Sequence, residues 1–139
     1  ERKQVEVLNI KARQIIDFSA AYDVVDSLTG ELVGTLRRKG LKSLLRDQWE
    51  VLNPQGSVTG ILQEDTQQLA LIRRFLFNLI PQNYDLLIGS TRVADLRQRF
   101  NPFRYEMDVD FTMDTARQLD RRLGIAAATL LAIIEGRQG

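Results

Sequence analysis

From Gly124 to Ile134 every residue except Thr129 is apolar or glycine. A helix built from this stretch has no face polar enough to meet water, so it demands an apolar surrounding. Two surroundings are available, hydrocarbon or protein, and length separates them. Crossing a bilayer takes about 20 apolar residues, whereas these 11 extend only about 16 Å at ~1.5 Å per residue. Arg121, Arg122 and Glu135 bracket the run with charge. The expected environment is therefore a protein wall enclosing the helix on all sides. Ala126, Ala127 and Ala128 would let that wall approach closely, while Leu130, Leu131, Ile133 and Ile134 would fill wider spaces. Thr115 and Gln118 have the spacing of a capping box, which predicts the helix start there, and Gly136 is placed to end it near Glu135.

What precedes the helix reads as strands. Gln4 to Ile10 and Ile15 to Asp26 are extended segments, and Thr29-Gly30 turns the second into Leu32 to Leu36. Gln48 to Leu52 and Ser57 to Leu62 flank Asn53-Pro54-Gln55-Gly56, a turn sequence with Pro to fix one φ and Gly to take a positive one. Tyr84 to Ile88 and Arg92 to Phe100 enclose Gly89-Ser90. From Arg104 to Phe111 polar Arg104, Glu106, Asp108 and Asp110 alternate with Tyr105, Met107, Val109 and Phe111, which predicts one wet and one dry strand face. Gln67 to Ile80 is helix-like by the spacing of Leu69, Ile72, Leu76 and Leu79, with strand as the alternative for part of it, and Leu41 to Arg46 fits a single helical turn. Strands around one central helix predict a mainly β fold with α content, an antiparallel β-barrel enclosing a hydrophobic C-terminal helix.

At 139 residues the chain fits one domain, and 44% hydrophobic with 27% charged residues is ordinary globular composition. It has neither Cys nor His, which removes disulfides, Cys-His and Ser-His-Asp nucleophiles and the usual zinc ligands. A cytoplasmic location is expected, with peripheral membrane attachment as a further option. No cofactor and no metal site is predicted. Nineteen basic against 18 acidic residues leave no global pull toward nucleic acid or membrane, so an anion site must be local.

The order of features resembles the tubby C-terminal-like superfamily, and within it the LURP-one-related and phospholipid scramblase-like branch. The resemblance rests on Ile10-Lys11-Ala12-Arg13 with Ile16-Asp17-Phe18, Tyr22-Asp23-Val24-Val25-Asp26, Gly34-Thr35-Leu36-Arg37-Arg38-Lys39 and Asp47-Gln48-Trp49. Arg73-Arg74-Phe75, Gln98-Arg99-Phe100-Asn101-Pro102-Phe103 and Leu119-Asp120-Arg121-Arg122-Leu123-Gly124-Ile125-Ala126-Ala127 continue it across residues 1–139. It implies a barrel threaded by its C-terminal helix, agreeing with the reading from length and polarity. Only about eight or nine strand segments can be counted, fewer than such a barrel holds, so opening strands look absent. Together with Glu1 in place of Met this predicts an N-terminally trimmed tubby-like domain whose open edge favours a homo-oligomer. The resemblance also implies lipid binding, since tubby proteins bind phosphoinositides and scramblase-like members are linked to lipid and calcium.

Arg37, Arg38, Lys39, Lys42 and Arg46 place five positive charges in ten residues, the best candidate for holding an anionic lipid or phosphoinositide headgroup. The plainer reading is a solvated strand end neutralised by nearby acids. Arg73, Arg74, Arg97, Arg99 and Arg104 are weaker candidates. Glu64 with Asp65 and Asp108 with Asp110 are carboxylate pairs expected at turns or facing water, and no nucleophile and base can be named, so a non-enzymatic role is expected. Asp108, Asp110 and Asp114 lie where scramblase-like proteins are proposed to hold calcium, but Met113 stands where an EF-hand loop needs its glycine. Trp49 and Phe103 are expected in core or rim packing. The expectation is thus a binding module of unknown ligand, anionic lipid first, with a protein-interaction or structural domain as the alternative.

Overall fold

The computed structural model describes residues 4–13, 20–39, 48–65, 82–99, 101 and 103–135. The segments read as helix-like at Gln67 to Ile80 and Leu41 to Arg46 lie outside the described residues, as do Gly136 and residues 14–19. Among the described residues eight strands follow in chain order: β1 Leu8–Ala12, β2 Ala21–Asp26, β3 Leu32–Arg38, β4 Gln48–Leu52, β5 Val58–Glu64, β6 Asn83–Ile88, β7 Thr91–Arg99 and β8 Glu106–Asp110. Among the described residues one helix, α1, spans Arg121–Glu135. Each strand pairs antiparallel with the next, giving a single curled sheet, a half-barrel, in the order β1 to β8.

Local chemistry explains the hairpins. Asp26 Oδ1 accepts the N–H groups of Leu28 (2.9 Å) and Thr29 (3.1 Å), and Gly30 closes the turn at φ 73°. Asn53 Oδ1 does the same for Gln55 (3.1 Å) and Ser57 (2.9 Å), with Gly56 at φ 83°. An Asx side chain mimics a backbone turn, and only Gly adopts those positive φ values without a steric cost.

The inward face carries the core. Val24, Leu36, Trp49, Val51, Leu62, Tyr84, Leu86 and Leu96 are essentially inaccessible and pack with Leu123, Ala126, Ala127, Leu130 and Leu131 of α1. Burying a side chain such as Leu131 stabilises by about 1.5–3 kcal/mol. Gly34 is hemmed in by the neighbouring strand and by the helix: an added Cβ would lie 2.5 Å from Leu52 O of β4 and 3.0 Å from Leu123 Cδ2 of α1. Gly124 likewise sits against the Phe111 ring.

Several expectations need correction. The helix begins at Arg121, where Asp120 Oδ1 accepts the Arg122 N–H at 3.0 Å, and not at Thr115 and Gln118. Upstream, Arg117 takes φ 51° and the Asp114 carboxylate gathers the N–H groups of Gln118 (2.9 Å) and Leu119 (3.0 Å), a local geometry that competes with helix. The helix is not enclosed on all sides either: Ile125 (49% exposed), Thr129 and Ile133 (48%) form an exposed stripe, because the sheet covers only one side of it. Ile133 therefore fills no space between strands. Phe103 is exposed and not packed, and Glu64 is buried at the end of β5 on the inward face beside Tyr84, where a turn position was expected. No helix among the described residues is long and apolar enough to cross a membrane.

Candidate functional site

The pleat of β3 divides the basic cluster. Adjacent strand residues point to opposite faces, so Arg37 and Lys39 share the outward face and Arg38 turns inward. Register then selects their partners, since Arg37 lies opposite Glu50 and Arg38 opposite Trp49. Glu50 Oε2 accepts both Nε (2.8 Å) and Nη2 of Arg37, and Lys39 Nζ lies 3.7 Å from Glu50 Oε1. One carboxylate thus holds two of the five predicted cations.

Arg38 stands over the indole of Trp49, its guanidinium carbon 5.7 Å from the ring centroid, and Tyr22 flanks that ring at 5.9 Å. A cation over an indole face is a favourable contact, so Arg38 has a packing role. Trp49 is 1% exposed and its Nε1 finds no hydrogen-bond partner among the described residues. Lys42 and Arg46 lie outside the described residues, as do Arg73 and Arg74.

The other basic candidates are paired across or along strands. Arg97 meets Asp95 at 2.7 Å, Arg99 meets Asp108 at 2.6 Å and Arg104 meets Glu106 at 2.7 Å. On the outward face, burial would push the Asp23 carboxyl up, but Arg13 at 2.8 Å and the Thr35 hydroxyl at 2.7 Å more than offset it and hold it below the usual range. Exposed pairs of this kind contribute little to stability, because water screens them. They spend the arginines on the fold's own acids.

The three aspartates considered for calcium do not converge. Asp108 pairs with Arg99, Asp110 Oδ1 accepts the Thr112 N–H at 2.8 Å, and Asp114 is turned onto Gln118, Leu119 and Arg121. Among the described residues no group of three metal-ligating side chains is placed to hold an ion.

Two features escaped the sequence reading. Arg122 ties α1 to the β2–β3 turn, reaching Asp26 (3.0 Å) and Glu31 (3.2 Å) while also pairing with Asp120 (2.8 Å). In addition, Asp85, Asp95 and Asp110 occupy one cross-strand row over β6, β7 and β8. The first needs the packing of α1 on a turn 91 to 96 residues away in sequence and the second needs strand register, neither of which the sequence displays.

Compared with family models, with curated proteins and with solved structures, the chain matches none of them.

Proposed function

We propose that this chain is a non-enzymatic binding module acting through its surface, in the first place as a protein-interaction or structural domain. The observation behind this reading is Glu50: it engages Arg37 and Lys39 together, while Arg38 packs over Trp49 on the opposite face. A headgroup site needs several uncommitted donors on one face, and the described part of the cluster presents its donors already engaged. The curled antiparallel sheet with a C-terminal helix is the architecture that the tubby-like resemblance implies, and supports membership of that superfamily as part of the same proposal.

The second reading is reversible docking on anionic lipid or phosphoinositide headgroups through Arg37, Arg38, Lys39, Lys42 and Arg46. It is favoured by the partial exposure of the Arg37 and Lys39 side chains, 41% and 43%, which leaves both tips within reach of an interface. Liposome flotation separates the two. Vesicles containing phosphatidylserine or a phosphoinositide, beside neutral vesicles, are offered to the parent, to the Arg37→Ala, Lys39→Ala double variant and to Glu50→Gln, which releases both cations. The interaction-domain reading expects no flotation of the parent; salt-sensitive flotation that the double variant loses and Glu50→Gln strengthens would replace it with the lipid reading.

A further inference from the structure

The sheet has two ends. Among the described residues β1 and β8 each pair on one side only, so both offer a row of unpaired backbone groups. Their inward residues, Leu8 and Ile10 on β1 and Met107 and Val109 on β8, are only half-buried, whereas Leu36, Val51, Leu62, Leu86 and Leu96 of β3 to β7 are sealed. Helix α1 touches both end strands and β3. Its uncovered stripe, Ile125, Thr129 and Ile133, repeats every four residues and so forms one line along the helix. Val5 and Val7, which lead into β1, are exposed as well.

The two end strands differ in charge on the outward face. Register places Lys11 on the same face as Asp23, with Asn9 beside it on β1 and Arg13 just beyond. On β8 the same face carries Glu106, Asp108 and Asp110, with Asp108 opposite Arg97. Among the described residues, Arg99 and Arg104 form ion pairs with two of these acids, Asp108 and Glu106. Outside, the β1 end carries Lys11 and Arg13, the latter paired with Asp23 of β2, while β8 carries three acids of which Arg99 and Arg104 hold two; inside, both ends are apolar.

We propose that two copies of this chain dimerise about a two-fold axis, β1 of each pairing with β8 of the other, so that two half-barrels close into one sheet around two helices. This names a partner for the protein-interaction reading and rests on it. Charge complementarity selects this arrangement from the symmetric alternatives. Joining β8 to its own copy sets three carboxylates against three, and joining β1 to its own copy sets Lys11 against Lys11; like charges directly opposite on a sheet are unfavourable. The β1 to β8 junction instead brings Lys11 beside the acidic row and Leu8 and Ile10 beside Met107 and Val109. Closure removes both open edges at once, and the Ile125 to Ile133 stripes of the two helices cover each other across the axis.

Sedimentation velocity on the whole chain from about 1 to about 100 µM tests this, a range that brackets the affinity of a modest dimer. A dimer is expected, with far-UV circular dichroism confirming that each variant remains folded. Ile125→Asp, at an exposed position, should raise the dimer dissociation constant at least about tenfold by placing charge at the axis. Lys11→Glu should raise it about threefold or more, and combining Lys11→Glu with Asp108→Lys should return it toward the parent value. A parent that stays monomeric throughout overturns the proposal and leaves an extended segment of another chain as the occupant of the edges. A dimer indifferent to Ile125→Asp, or one that Lys11→Glu tightens, overturns it equally. The flotation experiment judges the interaction-domain reading separately.

Discussion

Asp85 and Asp95 stand directly opposite each other on β6 and β7, two carboxylates on one face of the sheet. Burial pushes the Asp85 carboxyl above its ordinary range, and Asp65 and Asp95 add to the effect, although Arg92 at 3.4 Å opposes it. A raised folded value means that the charge costs stability at neutral pH. The cost is absent below the unfolded value of about 4 and returns as pH rises through the folded value. Asp85→Asn should therefore stabilise the protein by about 0.5 kcal/mol at neutral pH, solvent screening keeping the gain small, with no gain below about pH 4. Urea unfolding midpoints at both pH values check this; a gain of equal size at acid pH would dissociate the effect from charge.

Asp114 works in the opposite sense. Burial by itself would raise its carboxyl, but the N–H groups of Gln118 and Leu119 and the guanidinium of Arg121 at 2.7 Å more than offset this and hold it low. Its contribution is present above the unfolded aspartate value of about 4 and is lost as pH falls through the lower folded value. Asp114→Ala should destabilise at neutral pH and flatten the acid limb of the stability profile. An acid limb identical to the parent's would show that the carboxylate is not held low.

Gly34 and Gly124 are contact glycines. An added methyl at Gly34 meets a backbone carbonyl that cannot retreat without disturbing the β3–β4 ladder. Gly34→Ala should cost about 1–3 kcal/mol by overpacking. Gly124→Ala gains helix propensity, about 1 kcal/mol, but collides with Phe111, so a smaller net loss is expected. Thermal unfolding of both variants measures the difference; a Gly34→Ala variant as stable as the parent would deny the close approach of the Leu52 carbonyl and Leu123 to Gly34.

The helix has a dry side and a wet side, and one substitution on each tells them apart. Ala127 is 1% exposed, so Ala127→Asp buries an unpaired charge and should cost several kcal/mol or prevent folding. Thr129 is exposed, and Thr129→Asp should stay within about 0.5 kcal/mol of the parent in unfolding at dilute concentration. Equal losses at the two positions would mean that the sheet encloses the helix after all.

Local chemistry made much of this fold legible. Thr29-Gly30, Asn53 to Gly56 and Gly89-Ser90 all turn where their residues indicate, because a glycine at positive φ, joined in the first two by the Asp26 or Asn53 side chain, determines a turn within a few residues. The alternation of Glu106 to Asp110 likewise assigns β8 its two faces. What stayed hidden depends on register and packing. The pairing of Arg37 with Glu50 joins residues 13 apart, so composition shows five clustered cations but not the carboxylate that holds two of them. The helix start moved because Asp114 and Arg117 favour a turn over the predicted capping box. The apolar run from Gly124 correctly demanded burial, yet hydropathy alone could not say that Ile125 and Ile133 would lie beyond the reach of the sheet.

The strictly sequential strand order bears on how the chain acquires its shape. Each hairpin joins neighbours, so β1 to β8 can zip up one after another as the polypeptide leaves the ribosome, with little loop entropy lost at any step. Among the described residues the helix makes far longer-range contacts than the strands do, Arg122 reaching Asp26 across 96 positions. Until α1 has been synthesised the inner surface of the sheet lacks its cover, so α1 acts as the latch, and a nascent chain stalled just before Arg121 should be a preferred substrate for chaperones that bind exposed apolar strands.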